Sequence, residues 1–136
     1  MKTKYIIAIF MLTLFCSVAQ AQNRIDALVD RYSSSTSSKF TSAVERNPKT
    51  RNIVKVVKVL ELNYANILPF VEAFRYESKQ GDYSERKDGS TLIMTLTMSG
   101  RTQNRIYMLK ASDYYSGGSR NRITDCNITI IVKNKQ

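Results

Sequence analysis

Residues Thr91 to Met98 alternate without a break, with Leu92, Met94, Leu96 and Met98 on one side and Thr91, Ile93, Thr95 and Thr97 on the other. A two-residue period sends these sets to opposite faces of an extended strand. The Leu and Met side demands cover, while the Thr side tolerates water. That is the pattern of an antiparallel sheet with one buried and one wet face. The rest of the chain must therefore supply more strands and something to cover the apolar face.

Arg105 to Ala111 follows after the polar turn Ser99-Gly100-Arg101-Thr102-Gln103-Asn104, with Tyr107 and Leu109 on one face and Ile106 and Met108 on the other. Arg122 to Lys133 places Cys126, Ile128, Ile130 and Val132 on one face and Asp125, Asn127 and Thr129 on the other. Upstream, Phe40 to Arg46 and Arg51 to Leu62 flank Asn47-Pro48-Lys49-Thr50, and Asn-Pro initiates turns. Ile53, Val54, Val56, Val57 and Val59 are β-branched, which suits a strand. Ile53, Val56, Val57, Leu60 and Tyr64 also fit a helical stripe, with Lys55 and Lys58 opposite. The β-branched density and the turn together favour a hairpin.

Two segments read as helices. Asn23 caps the first, where Ile25, Leu28, Val29 and Tyr32 recur on one stripe. Asp26 and Asp30 lie off that stripe, and Asp26 suits the positive end of the helix dipole. The serine-rich run 33–38 connects it onward. Asn66 opens the second helix, with Pro69 in its first turn, where a missing N–H is harmless. Ile67, Phe70, Val71 and Phe74 form its apolar stripe, and Gly81 is placed as its C-cap. Asp82 to Gly89 is charged and reads as an exposed loop ending in the turn Asp88-Gly89. The expectation is an α+β domain over residues 22–136: an antiparallel sheet of about five strands with two helices packed on one face.

Ahead of this lies a basic, apolar, small-residue progression. Lys2 and Lys4 precede the uncharged run Tyr5 to Phe15, and Ala19-Gln20-Ala21 supplies small residues at spaced positions. That order predicts a signal peptide over residues 1–21, because the run is short of the roughly 20 apolar residues a membrane span needs. An uncleaved anchor and lipid attachment at Cys16 are the alternatives. Phe15 stands where lipoprotein signals carry a small residue. Once the leader is gone Cys126 has no partner within the chain, so it either pairs with another chain or sits buried.

The formal charge is +10 and histidine is absent. The charge favours anionic partners and equally serves solubility. Without histidine there is no Ser-His-Asp triad, Cys-His dyad or His-containing zinc site. Ser84-Glu85-Arg86-Lys87 matches a Ser-x-x-Lys pattern, but within a charged loop where the lysine would keep its proton. Asp82, Glu85 and Asp88 lack calcium-loop spacing, and Gly117-Gly118-Ser119 lacks the long phosphate cradle. The sequence thus predicts no catalytic set, no metal site and no cofactor.

Two features remain. Tyr114-Tyr115-Ser116-Gly117-Gly118-Ser119-Arg120-Asn121-Arg122 has the composition of a binding loop: rigid aromatics with small adaptable polar residues. Tyr114, Tyr115, Arg120 and Arg122 are its candidate contact residues. Basic side chains are also dispersed at Lys49, Arg51, Lys55, Lys58, Arg101 and Arg105.

The Ala19-Gln20-Ala21-Gln22 junction, the Arg24-Ile25-Asp26-Ala27-Leu28 start, the Val44-Glu45-Arg46-Asn47-Pro48-Lys49-Thr50 turn and Arg105-Ile106-Tyr107-Met108-Leu109 carry a resemblance. The layout resembles an uncharacterised domain-of-unknown-function family of small exported Bacteroides-type proteins. The resemblance implies a periplasmic or extracellular protein of a Gram-negative bacterium and assigns no activity and no functional residue. The expected function is a non-enzymatic binding protein whose partner is a protein or an anionic glycan or lipid of the cell envelope. The alternative is a binder of nucleic acid or another anionic polymer. A histidine-free hydrolase would need two carboxylates converging in a cleft, and no spacing here pairs two.

Overall fold

The computed structural model describes residues 23–36, 38–116 and 123–135. The expected leader with Cys16, and Arg120 and Arg122 of the loop, lie outside the described residues.

The first helix, α1, spans Arg24–Tyr32 and starts in a capping box. Asp26 N donates to Asn23 Oδ1 at 2.9 Å and Asn23 N donates to Asp26 Oδ2 at 3.4 Å. Two otherwise orphaned donors are satisfied reciprocally. Ile25 and Val29 are buried, and Leu28 and Tyr32 pack beside them, as the stripe requires. The hairpin follows as strands β1, Ser38–Arg46, and β2, Ile53–Asn66. Asn47 closes its turn: its Oδ1 accepts from Lys49 N at 2.8 Å and its carbonyl accepts from Arg51 N at 2.7 Å. The strand reading of this segment is therefore the one realised. β2 runs four residues beyond the expected Leu62 because its ladder with the last strand shifts register between Leu62 and Ala65. Asp125 Oδ1 accepts from Tyr64 N at 2.8 Å there.

The second helix, α2, spans Leu68–Glu77 with Pro69 in its first turn, and a 3₁₀ turn Ser78–Gln80 continues it. Gly81 is extended rather than left-handed, so it is not the αL cap expected of it. Its need for glycine is steric. A Cβ at Gly81 would collide with the Thr97 carbonyl oxygen, because the chain there crosses directly over the neighbouring strand.

The remaining strands are β3, Asp82–Asp88; β4, Thr91–Ser99; β5, Gln103–Ala111; and β6, Ile123–Asn134. The sheet thus has six strands, in the order β1-β2-β6-β5-β4-β3, with every neighbouring pair antiparallel. The fold is α+β, and the count of about five strands is corrected upward. The extra strand is β3, expected as a loop. An edge strand pairs on one side only, and all of its residues but Tyr83 are exposed. It therefore needs no apolar alternation, and its charges protect the sheet margin. The Asp88-Gly89 turn is as expected, with Gly89 at φ +62°.

One face of the sheet carries the core. Leu60 and Leu62, Leu92, Met94 and Leu96, Tyr107, Leu109 and Ala111, and Cys126, Ile128 and Ile130 all point the same way. They are buried with Ile25 and Val29 of α1 and Phe70, Val71 and Phe74 of α2. Each Leu, Ile, Val, Phe or Met side chain among them contributes about 1.5–3 kcal/mol on burial. The alternate residues form the opposite face.

Candidate functional site

The 112–116 part of the expected binding loop is fastened to the β3–β4 turn. Tyr115 N donates to Ser90 O at 3.0 Å, and the hydroxyls of Ser90 and Thr91 donate to Ser112 O at 3.2 and 3.0 Å. Asp113 N donates to Thr124 Oγ1 at 3.0 Å. The two tyrosines separate in role. Tyr114 is 7% exposed and belongs to the core cluster, while Tyr115 is 37% exposed. Their rings meet edge to face at 5.0 Å, and Lys87 Nζ lies 4.8 Å from the Tyr115 centroid. Nearby, Arg75 Nε and the Tyr83 hydroxyl both donate to Glu85 Oε1, at 2.9 and 3.2 Å. The structure brings Tyr114 and Tyr115 together but offers only Tyr115 for contact. It adds Lys87, whose edge strand β3 carries no apolar alternation that would mark it in the sequence.

A second polar cluster joins α1 to the sheet. Asp26 Oδ2 accepts from Arg105 Nη1 at 3.1 Å and from the Tyr107 hydroxyl at 3.0 Å. Arg105 Nε donates to Gln103 Oε1 at 2.7 Å. Burial pushes the Tyr107 phenol up to about 12; Arg105 opposes the shift and Asp26 adds to it. Asp26, a helix-start residue by sequence, is thus also the acceptor that ties the helix to β5. A carboxylate held by a guanidinium and a phenol acts as a structural clamp between α1 and β5.

Cys126 lies on the buried face, 2% exposed, and burial alone pushes its thiol up to about 12. Reactive thiols sit in exposed, electropositive places with lowered pKa values, and this one has neither property. The folded protein is expected to resist a thiol reagent at neutral pH and to label at the unfolding rate. The same shift has a stability consequence. The folded state keeps the Cys126 and Tyr107 protons after the unfolded chain has released them. Their contribution is complete below the ordinary thiol range near pH 9 and fades toward about pH 12. Urea melts from neutral pH upward are expected to show falling midpoints above about pH 9.

Between α1 and α2 lies an open groove of about 290 Å³, lined by Arg24, Ala27, Leu28, Arg31, Pro69, Glu72 and Ala73. The Arg24 guanidinium stacks 3.4 Å above the Tyr76 ring at one end. Among the described residues no three His, Cys, Asp or Glu side chains converge to hold a metal ion. No helix among them is long and apolar enough to cross a membrane.

Among the described residues no helix packs against the second, helix-free face of the sheet. Register places Ala43, Val57, Ile131, Ile106 and Thr97 in one row across five strands. The next row holds Thr41, Val59, Thr129, Met108 and Thr95. At about 4.8 Å between strands the band is roughly 19 Å wide. Its residues are half-buried to exposed, with Met108 the most open of the large ones. Basic side chains bracket it: Lys55 and Lys133 with Glu45 at one end, Lys39, Lys110 and Arg86 with Glu61 at the other. Sequence alternation had marked Thr91, Thr95 and Thr97 as the wet side. Only the register shows that valines and isoleucines of β2, β5 and β6 share that side with them.

Comparison with protein-family models, curated proteins and solved structures finds no match to this chain.

Proposed function

We propose that the chain is an exported, non-enzymatic binding protein, and that its contact surface is the helix-free face of the sheet. The observation that carries this is the apolar band of Val57, Val59, Ile106, Met108 and Ile131 between two sets of basic side chains. Contiguous exposed apolar surface rimmed by polar groups marks interaction sites. The matching partner is an acidic protein surface with an apolar centre, met in the cell envelope after a leader ending at Ala21 has been removed. Basic charge at the rim speeds encounter, and the apolar band sets residence time. The loop residue Tyr115, with Lys87 beside it, is a secondary contact on the helix side.

The second reading, a polyanion such as nucleic acid, draws on the same lysines. It is weaker because the two central rows carry no aromatic ring, and sequence-tolerant binding of single strands relies on stacking.

The test uses affinity capture from the native envelope with the wild-type chain, Ile106→Glu/Ile131→Glu, Tyr115→Ala and Lys55→Gln/Lys133→Gln. A partner held at high salt, lost by the isoleucine variant and kept by Tyr115→Ala, is the expected result. Capture unchanged by the isoleucine variant overturns the face as the site. Binding that vanishes with modest salt and with the lysine variant alone transfers the function to the polyanion reading. Intact mass of the exported chain, expected to start at Gln22, checks the export step.

A further inference from the structure

The two margins of the sheet are built differently. β3 is guarded: its full-length antiparallel match to a second copy would set Glu85 against Glu85 and Asp82 against Asp88. β1 is the opposite. It is nine residues long, mostly exposed, and forms the other margin with β2 as its sole neighbour among the described residues. Such an edge is a template for another strand.

We propose that β1 pairs antiparallel with β1 of a second copy, about a two-fold axis through Ser42, to give a continuous sheet across a homodimer. The strand is self-complementary in this one fully overlapping register. Counting outward from Ser42, Thr41 meets Ala43, Phe40 meets Val44, Lys39 meets Glu45 and Ser38 meets Arg46 of the other copy. Antiparallel neighbours on one face interact directly, opposite charges and apolar pairs favourably, like charges unfavourably.

The pairing also continues rows that already exist within each copy. On the helix side, Leu60 pairs with Phe40, and Val44 pairs with Val56. Joining Phe40 to the other copy's Val44 makes one apolar row of four across the seam. Val44 is 51% exposed in the single chain, and the row supplies its cover. On the helix-free side, Glu61 pairs with Lys39, and Glu45 pairs with Lys55. Joining Lys39 to the other copy's Glu45 gives Glu61, Lys39, Glu45, Lys55 in alternating sign. Moving the axis to Ala43 would set Phe40 against Arg46 and Thr41 against Glu45, and moving it to Thr41 would set Phe40 against Ser42 and Lys39 against Ala43, so the axis is specified by the sequence of β1 itself.

Face-to-face association through the helix-free side is not an equivalent solution. Each end of that face carries an excess of basic residues, so either orientation of an in-plane two-fold sets basic against basic. The edge dimer leaves that face open and doubles its width, which suits the contact surface proposed above without depending on it. Nine residues a side is fewer than the about 20–30 of a standard interface. The dimer is therefore expected to be reversible and to dissociate on dilution.

Sedimentation velocity on the mature protein over a range of concentrations reads the monomer–dimer equilibrium, with circular dichroism confirming that each variant is folded. Lys39→Glu and Glu45→Lys are each expected to raise the dimer dissociation constant several-fold. Lys39→Glu/Glu45→Lys together restore opposite charges across the seam and are expected to recover most of the loss. Ser42→Cys is expected to form a disulfide-linked dimer under mild oxidation, since paired Cβ atoms at the axis lie about 4.5–5.5 Å apart. Ser84→Cys, on the guarded margin, is expected to remain monomeric under the same oxidation. A protein that stays monomeric at every concentration overturns the proposal. So does a dimer indifferent to both single charge reversals, or equal cross-linking by Ser42→Cys and Ser84→Cys.

Discussion

Leu96→Ala is expected to lower the unfolding free energy by about 2–5 kcal/mol, the range of buried leucine truncations. Leu96 is fully buried on the helix side of β4, with Tyr83 and Tyr107 as its cross-strand neighbours. Neither ring is free to move into the vacated space, because each phenol is tied by a hydrogen bond, to Glu85 and to Asp26 respectively. The upper half of the range is therefore expected. Thr95, one residue earlier, lies on the helix-free face between Ser84 and Met108. Thr95→Ala is expected to stay within about 0.5 kcal/mol of the parent, the norm for surface positions. Urea denaturation of the two variants measures the contrast. Equal losses would mean that the second face is covered, and would remove the surface on which the proposed binding rests.

Asp26→Ala is expected to cost about 1.5–3 kcal/mol, as loss of hydrogen bonds to a charged group does when the partners stay partly buried. Its carboxylate accepts from Arg105, from Tyr107 and from the backbone N–H of Asn23. Its side chain is only 12% exposed and that of Arg105 only 27%, so solvent replaces the lost partner poorly. The effect separates from simple helix capping through a double-mutant cycle with Arg105→Met. A coupling of about 0.5–3 kcal/mol is expected of groups sharing one network. A cycle that closes near zero, with a small loss for Asp26→Ala alone, would reduce the cluster to an ordinary surface pair. By contrast the Lys58–Asp30 pair, at 3.9 Å and with both side chains about a third exposed or more, is expected to contribute little.

Much of the fold follows from local signals. The alternation of Thr91 to Met98 identifies β4 and its buried side without reference to any other strand. Asn47-Pro48 and Asp88-Gly89 mark turns because their conformational preferences belong to the residues themselves. Asn23 and the Ile25, Leu28, Val29, Tyr32 stripe identify α1 in the same way. Where the sequence misleads, the deciding energy is not local. β3 looks like a charged loop because an edge strand is stabilised by one neighbour's ladder rather than by an apolar pattern. Gly81 looks like a helix cap, but its constraint comes from Thr97, sixteen positions away in the chain.

The candidate site divides along the same line. Composition singles out Tyr114 and Tyr115 together, because a loop with two adjacent tyrosines looks the same whichever ring is buried. Packing against the core decides that Tyr114 is structural and Tyr115 is presented. Asp26 reads as a dipole partner because Arg105 and Tyr107 approach it only when β5 is brought beneath α1. The helix-free apolar band is the clearest case. Ile106 follows from its own strand's alternation and Val57 belongs to a β-branched run that does not alternate, yet with Ile131 they become one surface only once β6 inserts between β2 and β5. Periodicity and turn chemistry act over a few residues and are written in the sequence. Strand order and register are set by which distant faces bury one another best, so only the tertiary structure determined the surface this protein presents.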